Sequence, residues 1–221
     1  MAKKTNEWIE EVGLIPVLRA RSTAQGRAVV EAMVAAGVTV VEVTLTVPGA
    51  VTLLKELKKE YGDQLLLGSG TVTNGEEAQA TIDAGAEFVV SPSLHPDVVS
   101  VTRNNGKLSI PGALTPTEVI NAIREGADYV KIFPCSSMGG PSYIKSLLAP
   151  FPHWKLIPTG GVTLENAEKF LRSGARALGV GSDLVNIAAM EAGNPGIITE
   201  TARAYLQIIE GVRAGAQPVK V

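Results

Sequence analysis

One cysteine and two histidines in 221 residues remove several kinds of chemistry at the outset. A lone Cys135 cannot close an internal disulfide. His95 and His153 stand far apart in the chain, so no imidazole cluster with metal-ligand spacing presents itself. Carboxylates alone could hold a magnesium ion, but nothing in the pattern calls for one, and neither a metal nor a cofactor is expected. Excess positive charge is missing too. Twenty Lys and Arg against 22 Asp and Glu leave a net charge of −2, without the basic footprint of a nucleic-acid reader. A long apolar run is also missing. The opening "MAKKTNEWIEEVG" passes from two lysines into Asn6, Glu7, Glu10 and Glu11. It reads as neither a signal peptide nor a membrane span, and a cytoplasmic protein with no membrane partner is expected.

What the chain does have is an alternation of short apolar runs with longer amphipathic ones, in a composition that is 45% hydrophobic. Strand candidates are LIPVLRA (14–20), VTVVEVTL (38–45), LLLGSGTV (65–72), EFVVSP (87–92), KLSIPG (107–112), DYVKIFP (128–134), KLIPTGG (155–161) and ALGVGS (177–182), eight in all. Helical segments lie between them. In "STAQGRAVVEAMVAAG" Ser22 can cap the start and Gly37 the end, and in "TPTEVINAIREG" Thr115, Pro116 and Glu118 are start signals. Eight strands each feeding a helix predict a single (β/α)₈ barrel domain of the TIM type over residues 1–221, with a short N-terminal helix. A doubly wound open sheet is the alternative. It is disfavoured because no Gly-x-Gly-x-x-Gly turn follows the first strand.

In such a barrel catalytic groups occupy the carboxyl ends of strands, so polar residues that look misplaced in apolar strands become informative. Arg19 ends the first strand and Glu42 interrupts the second. Thr71 ends the third, Lys131 interrupts the sixth, and Thr159, Gly160 and Gly161 end the seventh. Gly181 and Ser182 follow the eighth. Each has an ordinary explanation taken singly. Lys131 and Glu42 could be a structural ion pair, Arg19 could neutralise a rim carboxylate, the threonines could cap turns, and the glycines could simply make turns. Shared placement on one rim favours a site instead.

The chemistry that Lys131 and Glu42 suggest is specific. A desolvated lysine can attack a ketone to give a Schiff base, whose iminium is an electron sink for breaking or forming an adjacent carbon–carbon bond, while a carboxylate moves the protons. Glycine-rich turns after the last two strands offer backbone N–H groups to a phosphate. A phosphorylated keto compound is the expected substrate.

The segments "VEVTLTVPGA", "GSGTV", "VSPSLHP", "PGALTPTE", "VKIFP", "PFPHWKLIPTGGVTLEN" and "ALGVGSDLV", in this order, resemble the bacterial 2-keto-3-deoxy-6-phosphogluconate (KDPG) aldolases, which are class I aldolases. The likeness runs from about Leu14 to Val185. It implies a carbon–carbon lyase that cleaves KDPG reversibly to pyruvate and glyceraldehyde 3-phosphate. Lys131 would be the Schiff-base lysine and Glu42 the general acid/base, acting through a water. Thr71 and Thr159 would line the pyruvyl pocket, with Pro92 shaping its floor. Gly160, Gly161, Gly181 and Ser182 would hold the phosphate. The resemblance also implies a homotrimer.

Two departures stand out. Many members follow "E-V-T-L" with an arginine for the substrate carboxylate, whereas this chain has Thr46, and Arg19 in "VLRA" is the candidate replacement. The segment "KIFPCSSMGGPSYIKSL" is closer to the branch acting on the C4-epimeric 6-phosphogalactonate substrate. That substrate is one alternative. A phosphosugar epimerase or isomerase using Glu42 without a covalent intermediate, and a silent binding scaffold, are others. Cys135 reads as a small packing residue, and the histidines carry no assigned role.

Overall fold

The computed structural model describes residues 4–215, which form an α/β fold with curled parallel sheets. Helix α1 (Thr5–Val12) comes first. The strands β1 (Leu14–Leu18), β2 (Val40–Thr44), β3 (Leu66–Gly70) and β4 (Phe88–Val90) are followed in turn by α2 (Thr23–Val34), α3 (Ala50–Tyr61), α4 (Gly75–Asp83) and α5 (Pro96–Asn104). Then come β5 (Leu108–Ile110), β6 (Gly112–Ala113) and α6 (Pro116–Glu125), β7 (Val130–Ile132) and α7 (Pro141–Leu148), and β8 (Leu156–Pro158) and α8 (Leu164–Arg172). The described chain ends with β9 (Leu178–Val180), α9 (Ile187–Glu191) and α10 (Gly196–Ala214).

All pairings are parallel, in a six-stranded sheet of order β5-β4-β3-β2-β1-β9 and a three-stranded sheet of order β6-β7-β8. The fifth strand candidate, 107–112, is therefore two strands and not one. Pro111 divides it, because proline has no N–H to donate and interrupts the ladder. Between β8 and β9 the connection is a single bridge, Thr159 to Gly179. The expected helix signals act as read at the starts: the Ser22 side chain accepts from the Gln25 N–H, and Thr115 with Glu118 forms a capping box. α2 ends earlier than Gly37 suggests, at Val34, and Gly37 takes its left-handed φ of 93° in the turn that follows.

Side-chain alternation fixes what faces where. In β2, Val41 and Val43 pack outward into the large cluster under the helices, while Val40 joins an inner cluster with Ile15, Leu66, Phe88, Ile110 and Ile157. Glu42 shares the face of Val40. In β7, Val130 and Ile132 go outward and Lys131 inward, on the side of Tyr129 of the inner cluster that leads to the carboxyl ends of the strands. The period-2 rule alone thus brings the two charged interruptions to one interior. Helix α1 closes the amino-terminal end of the strands with Ile9, which is fully buried in the inner cluster. Among the described residues no helix is long and apolar enough to cross a membrane.

Candidate active site

At the carboxyl ends of the strands a cavity of about 810 Å³ opens. Arg19, Lys131, Thr159, Gly160, Gly161, Gly181 and Ser182 all line it, so seven of the residues singled out from sequence meet in one place. Glu42 lies just below, in a small void whose walls include Lys131 and Thr159. Thr71 and Pro92 line neither space. Thr71 directly follows Gly70 at the end of β3, and the Pro92 carbonyl packs where a side chain on Gly112 would stand.

Lys131 is 6% exposed and Glu42 2%, and the lysine Nζ is 4.0 Å from Glu42 Oε1. That separation is a charge contact and too long for a hydrogen bond. Glu42 Oε1 accepts no hydrogen bond from any of the described residues. Burial pushes the Glu42 carboxyl above its ordinary value, and the positive charges of Lys131 and Arg19 offset this only in part. A buried carboxyl that holds its proton more tightly than usual, beside an amine, is equipped both to take up a proton and to return it. Its seat depends on Gly70. A β-carbon there would fall 1.9 Å from Glu42 Oε1, so any larger residue would displace the carboxylate. The Lys131 ammonium also lies 5.2 Å from the centroid of the Phe133 ring, which gives the cation an aromatic face.

Thr71 has φ 60°, alone among the described non-glycine residues in the left-handed region. For a β-branched residue this costs on the order of 1–3 kcal/mol, and such strain concentrates at functional sites. The two glycine turns differ in kind. Gly160 and Gly161 have φ 85° and 76°, and a β-carbon on Gly161 would meet the Ser136 side chain at 2.3 Å. Gly181 has open space where a β-carbon would stand.

Sequence reasoning passed over Phe133, Asp183, Asn186 and Ile187, which also line the cavity. Phe133 was legible, since two residues beyond Lys131 on an extended segment is the same face. Asp183, the α9 cap Asn186 and the first α9 residue Ile187 carried no signal, because the loop after β9 decides where they lie. Burial pushes the Cys135 thiol up to about 11, which suits a packing role. Among the described residues no group of three or more His, Cys, Asp or Glu is placed to hold a metal ion.

The family model "KDPG and KHG aldolase" matches residues 5–201. The chain is 35% identical over 179 residues to the 2-dehydro-3-deoxy-6-phosphogalactonate aldolase of Escherichia coli (strain K12), covering 80% of this chain and 87% of that protein. It is 32% identical over 203 residues to the 2-dehydro-3-deoxy-phosphogluconate aldolase of Treponema pallidum (strain Nichols), covering 92% of this chain and 96% of that one. A solved structure of the KDPG aldolase of Legionella pneumophila, with pyruvate captured at low pH as a covalent carbinolamine, superposes with a TM-score of 0.84 at 29% identity. That match covers 92% of this chain and 98% of the Legionella chain. With a lysine and a carboxyl meeting inside the strands and this match along most of its length, the chain belongs to the KDPG and KHG aldolase family and is a carbon–carbon lyase of the aldolase type.

Proposed function

We propose that the protein cleaves KDPG reversibly to pyruvate and glyceraldehyde 3-phosphate through a Schiff base on Lys131. The observation that carries this is the buried Lys131 amine, 4.0 Å from an otherwise unpartnered Glu42 oxygen, opening onto a cavity bounded by two glycine turns. Lys131 Nζ attacks the C2 ketone and, with loss of water, forms the iminium. Glu42, through a water, takes the C4 hydroxyl proton, and the C3–C4 electron pair flows into the iminium as glyceraldehyde 3-phosphate leaves. The enamine is then protonated at C3, and hydrolysis frees pyruvate and the amine. Arg19 holds the carboxylate, Thr159 flanks the pyruvyl group, and Gly160, Gly161, Gly181 and Ser182 receive the phosphate, while Thr71 and Pro92, which lie outside the cavity walls, would reach the pyruvyl group only from beyond the ends of β3 and β4. No metal or cofactor is needed, because the iminium supplies the electron sink.

The scaffold proposed for this chemistry is one closed (β/α)₈ barrel domain in the cytoplasm, its fifth strand split by Pro111 and its β8–β9 seam marked by the Thr159–Gly179 bridge. A homotrimer follows from the family resemblance. The C4-epimeric galactonate substrate is the second reading, favoured by the Escherichia coli relative.

Reduction with borohydride in the presence of pyruvate tests the covalent step. The expected result is one added carboxyethyl group, the reduced pyruvate imine, found by intact mass and mapped to Lys131. No adduct, or an adduct on Lys145 or Lys155, overturns the assignment and leaves the non-covalent epimerase or isomerase. Turnover compared on the gluconate and galactonate substrates decides between the two C4 configurations.

A further inference from the structure

The two glycine turns come from different strands, Gly160–Gly161 after β8 and Gly181–Ser182 after β9. Each is stiffened internally. In the first, Asn166 Nδ2 donates to the Gly161 carbonyl at 2.9 Å while Asn166 Oδ1 accepts from the Thr163 N–H at 2.9 Å. In the second, the Leu184 and Val185 N–H groups both donate to the Gly181 carbonyl, at 3.0 and 2.8 Å. A phosphate bridging them requires a fixed distance between the two, and Asp183 spans that gap. Its Oδ2 accepts from the Leu164 N–H, the first residue of α8, at 3.3 Å, and from the Tyr205 hydroxyl of α10 at 2.5 Å.

Tyr205 is fully buried, and its ring packs in the main core. Burial, with the carboxylate of Asp183 beside it, pushes the phenol well above its ordinary value, so it stays a donor. Asp183 is also one of the residues that line the cavity. We propose that Asp183, anchored by Tyr205, is a positioning residue that sets the spacing of the two glycine turns and through it the affinity for the phosphorylated end of the substrate. This rests on the reading that those turns hold a phosphate. Geometry and charge act here in opposite senses: the clamp helps a phosphate by ordering its donors, while the negative charge of Asp183 repels the dianion.

The opposition makes the inference testable with inorganic phosphate as a competitive inhibitor of cleavage, alongside solvent exchange of the pyruvate methyl protons, which involves no phosphate. Tyr205→Phe and Asp183→Ala are expected to raise the phosphate inhibition constant by about fivefold or more, the weight of roughly one hydrogen bond. The KM for phosphorylated substrate should rise in parallel, and the exchange rate should change by a smaller factor. Asp183→Asn keeps an oxygen that can accept from both Tyr205 and Leu164, so its inhibition constant should stay at or below the wild-type value. Loss in Asp183→Asn equal to that in Asp183→Ala, or an unchanged constant in Tyr205→Phe, overturns the clamp. A uniform drop in exchange and phosphate affinity makes the pair merely structural and also overturns it. The unmodified protein is the separate control: if phosphate does not inhibit it, the phosphate reading of the glycine turns fails first and the clamp falls with it.

Discussion

Two lysine–glutamate pairs sit at opposite ends of the parallel strands and have opposite electrostatic characters. At the amino-terminal end Lys155 approaches Glu10 at 3.4 Å and lies 5.1 Å from the Tyr129 ring centroid; at the carboxyl end Lys131 stands 4.0 Å from Glu42 and 5.2 Å from the Phe133 ring centroid. The parts are nearly the same. Glu10, however, accepts a 2.7 Å hydrogen bond from the Tyr129 hydroxyl, and Arg213 donates to the backbone carbonyls of Glu10 and Glu11, closing off the end of α1. Burial raises the Glu10 carboxyl, but the Tyr129 hydrogen bond and Lys155 outweigh it and hold the group below its ordinary value. Glu42 has a charge beside it and no hydrogen bond to Oε1, and burial wins. Depth of burial (the Glu42 side chain is 3% exposed, that of Glu10 34%) together with hydrogen bonds to the ionised form, more than proximity of opposite charge, separates a structural pair from one left free to move protons.

The largest break between the two ends should come from the lysines. Lys131→Met removes the iminium, and cleavage and pyruvate trapping are expected to be lost, while its apolar chain suits the buried site. Lys155→Met should leave kcat within about threefold of wild type, since a partly exposed pair contributes little even to stability. Comparable losses at both ends would erase the distinction. The carboxyls come next. Glu42→Gln should still form the pyruvate Schiff base but slow methyl-proton exchange by roughly two to four orders of magnitude, as loss of a general acid/base does. Exchange followed by NMR in deuterated water reads this directly, with Glu10→Gln as the partner measurement at the other end.

Much of this contrast was legible in the sequence, for a physical reason. Glu42 and Lys131 are each flanked by apolar residues whose alternation has period two, so their inward direction follows once strands are assumed. The helix starts were equally plain, because Ser22 and Thr115 satisfy local N–H groups and need no distant partner. The split of the fifth strand hangs on Pro111, which lacks an N–H to donate to the ladder and so parts β5 from β6. The clamp of Asp183 by Tyr205 was out of reach, since residues 22 apart meet only through the packing of α10. The amino-terminal cluster was hidden in the same way: Tyr129 and Glu10 are 119 residues apart. Local chemistry can be read along the chain; partnerships between elements cannot.

A smaller effect, about ten- to a hundredfold in kcat/KM, is expected at the rim of the carboxyl end from Arg19→Leu, the weight of a hydrogen bond between charged groups. Thr46, the residue at which the sequence departs from the expected family pattern, has its hydroxyl 2.6 Å from that of Thr44, which itself donates to the Leu18 carbonyl beside Arg19. An arginine at position 46 would therefore start from a backbone close to the end of β1. Thr46→Arg in the Arg19→Leu background should recover part of the loss, because it restores a guanidinium but not the Arg19 stem. A single change costing under about threefold, or no rescue in a folded double variant, moves carboxylate recognition to other donors.

The smallest effect is on stability, and it tests the comparison at its root. Glu42 holds its proton more tightly folded than unfolded. Between 4.5, its unperturbed value, and its raised value, the unfolded chain has lost a proton that the folded chain keeps, so stability falls as pH rises through that window. Glu10 runs the other way: its contribution is present above 4.5 and is lost as pH falls through its lowered folded value. Removing each ionisation should accordingly move the thermal midpoint at pH 7 in opposite directions. Glu42→Gln should raise it and Glu10→Gln lower it, the second by less, since that pair is partly exposed and screened. Both differences should shrink in acid, where the carboxyls are protonated in folded and unfolded chains alike. If Glu42→Gln instead lowers the midpoint at pH 7 and recovers on acidification, Glu42 is an ionised partner stabilised by Lys131. The two ends of the molecule would then hold the same kind of pair, and the electrostatic contrast between them would fail.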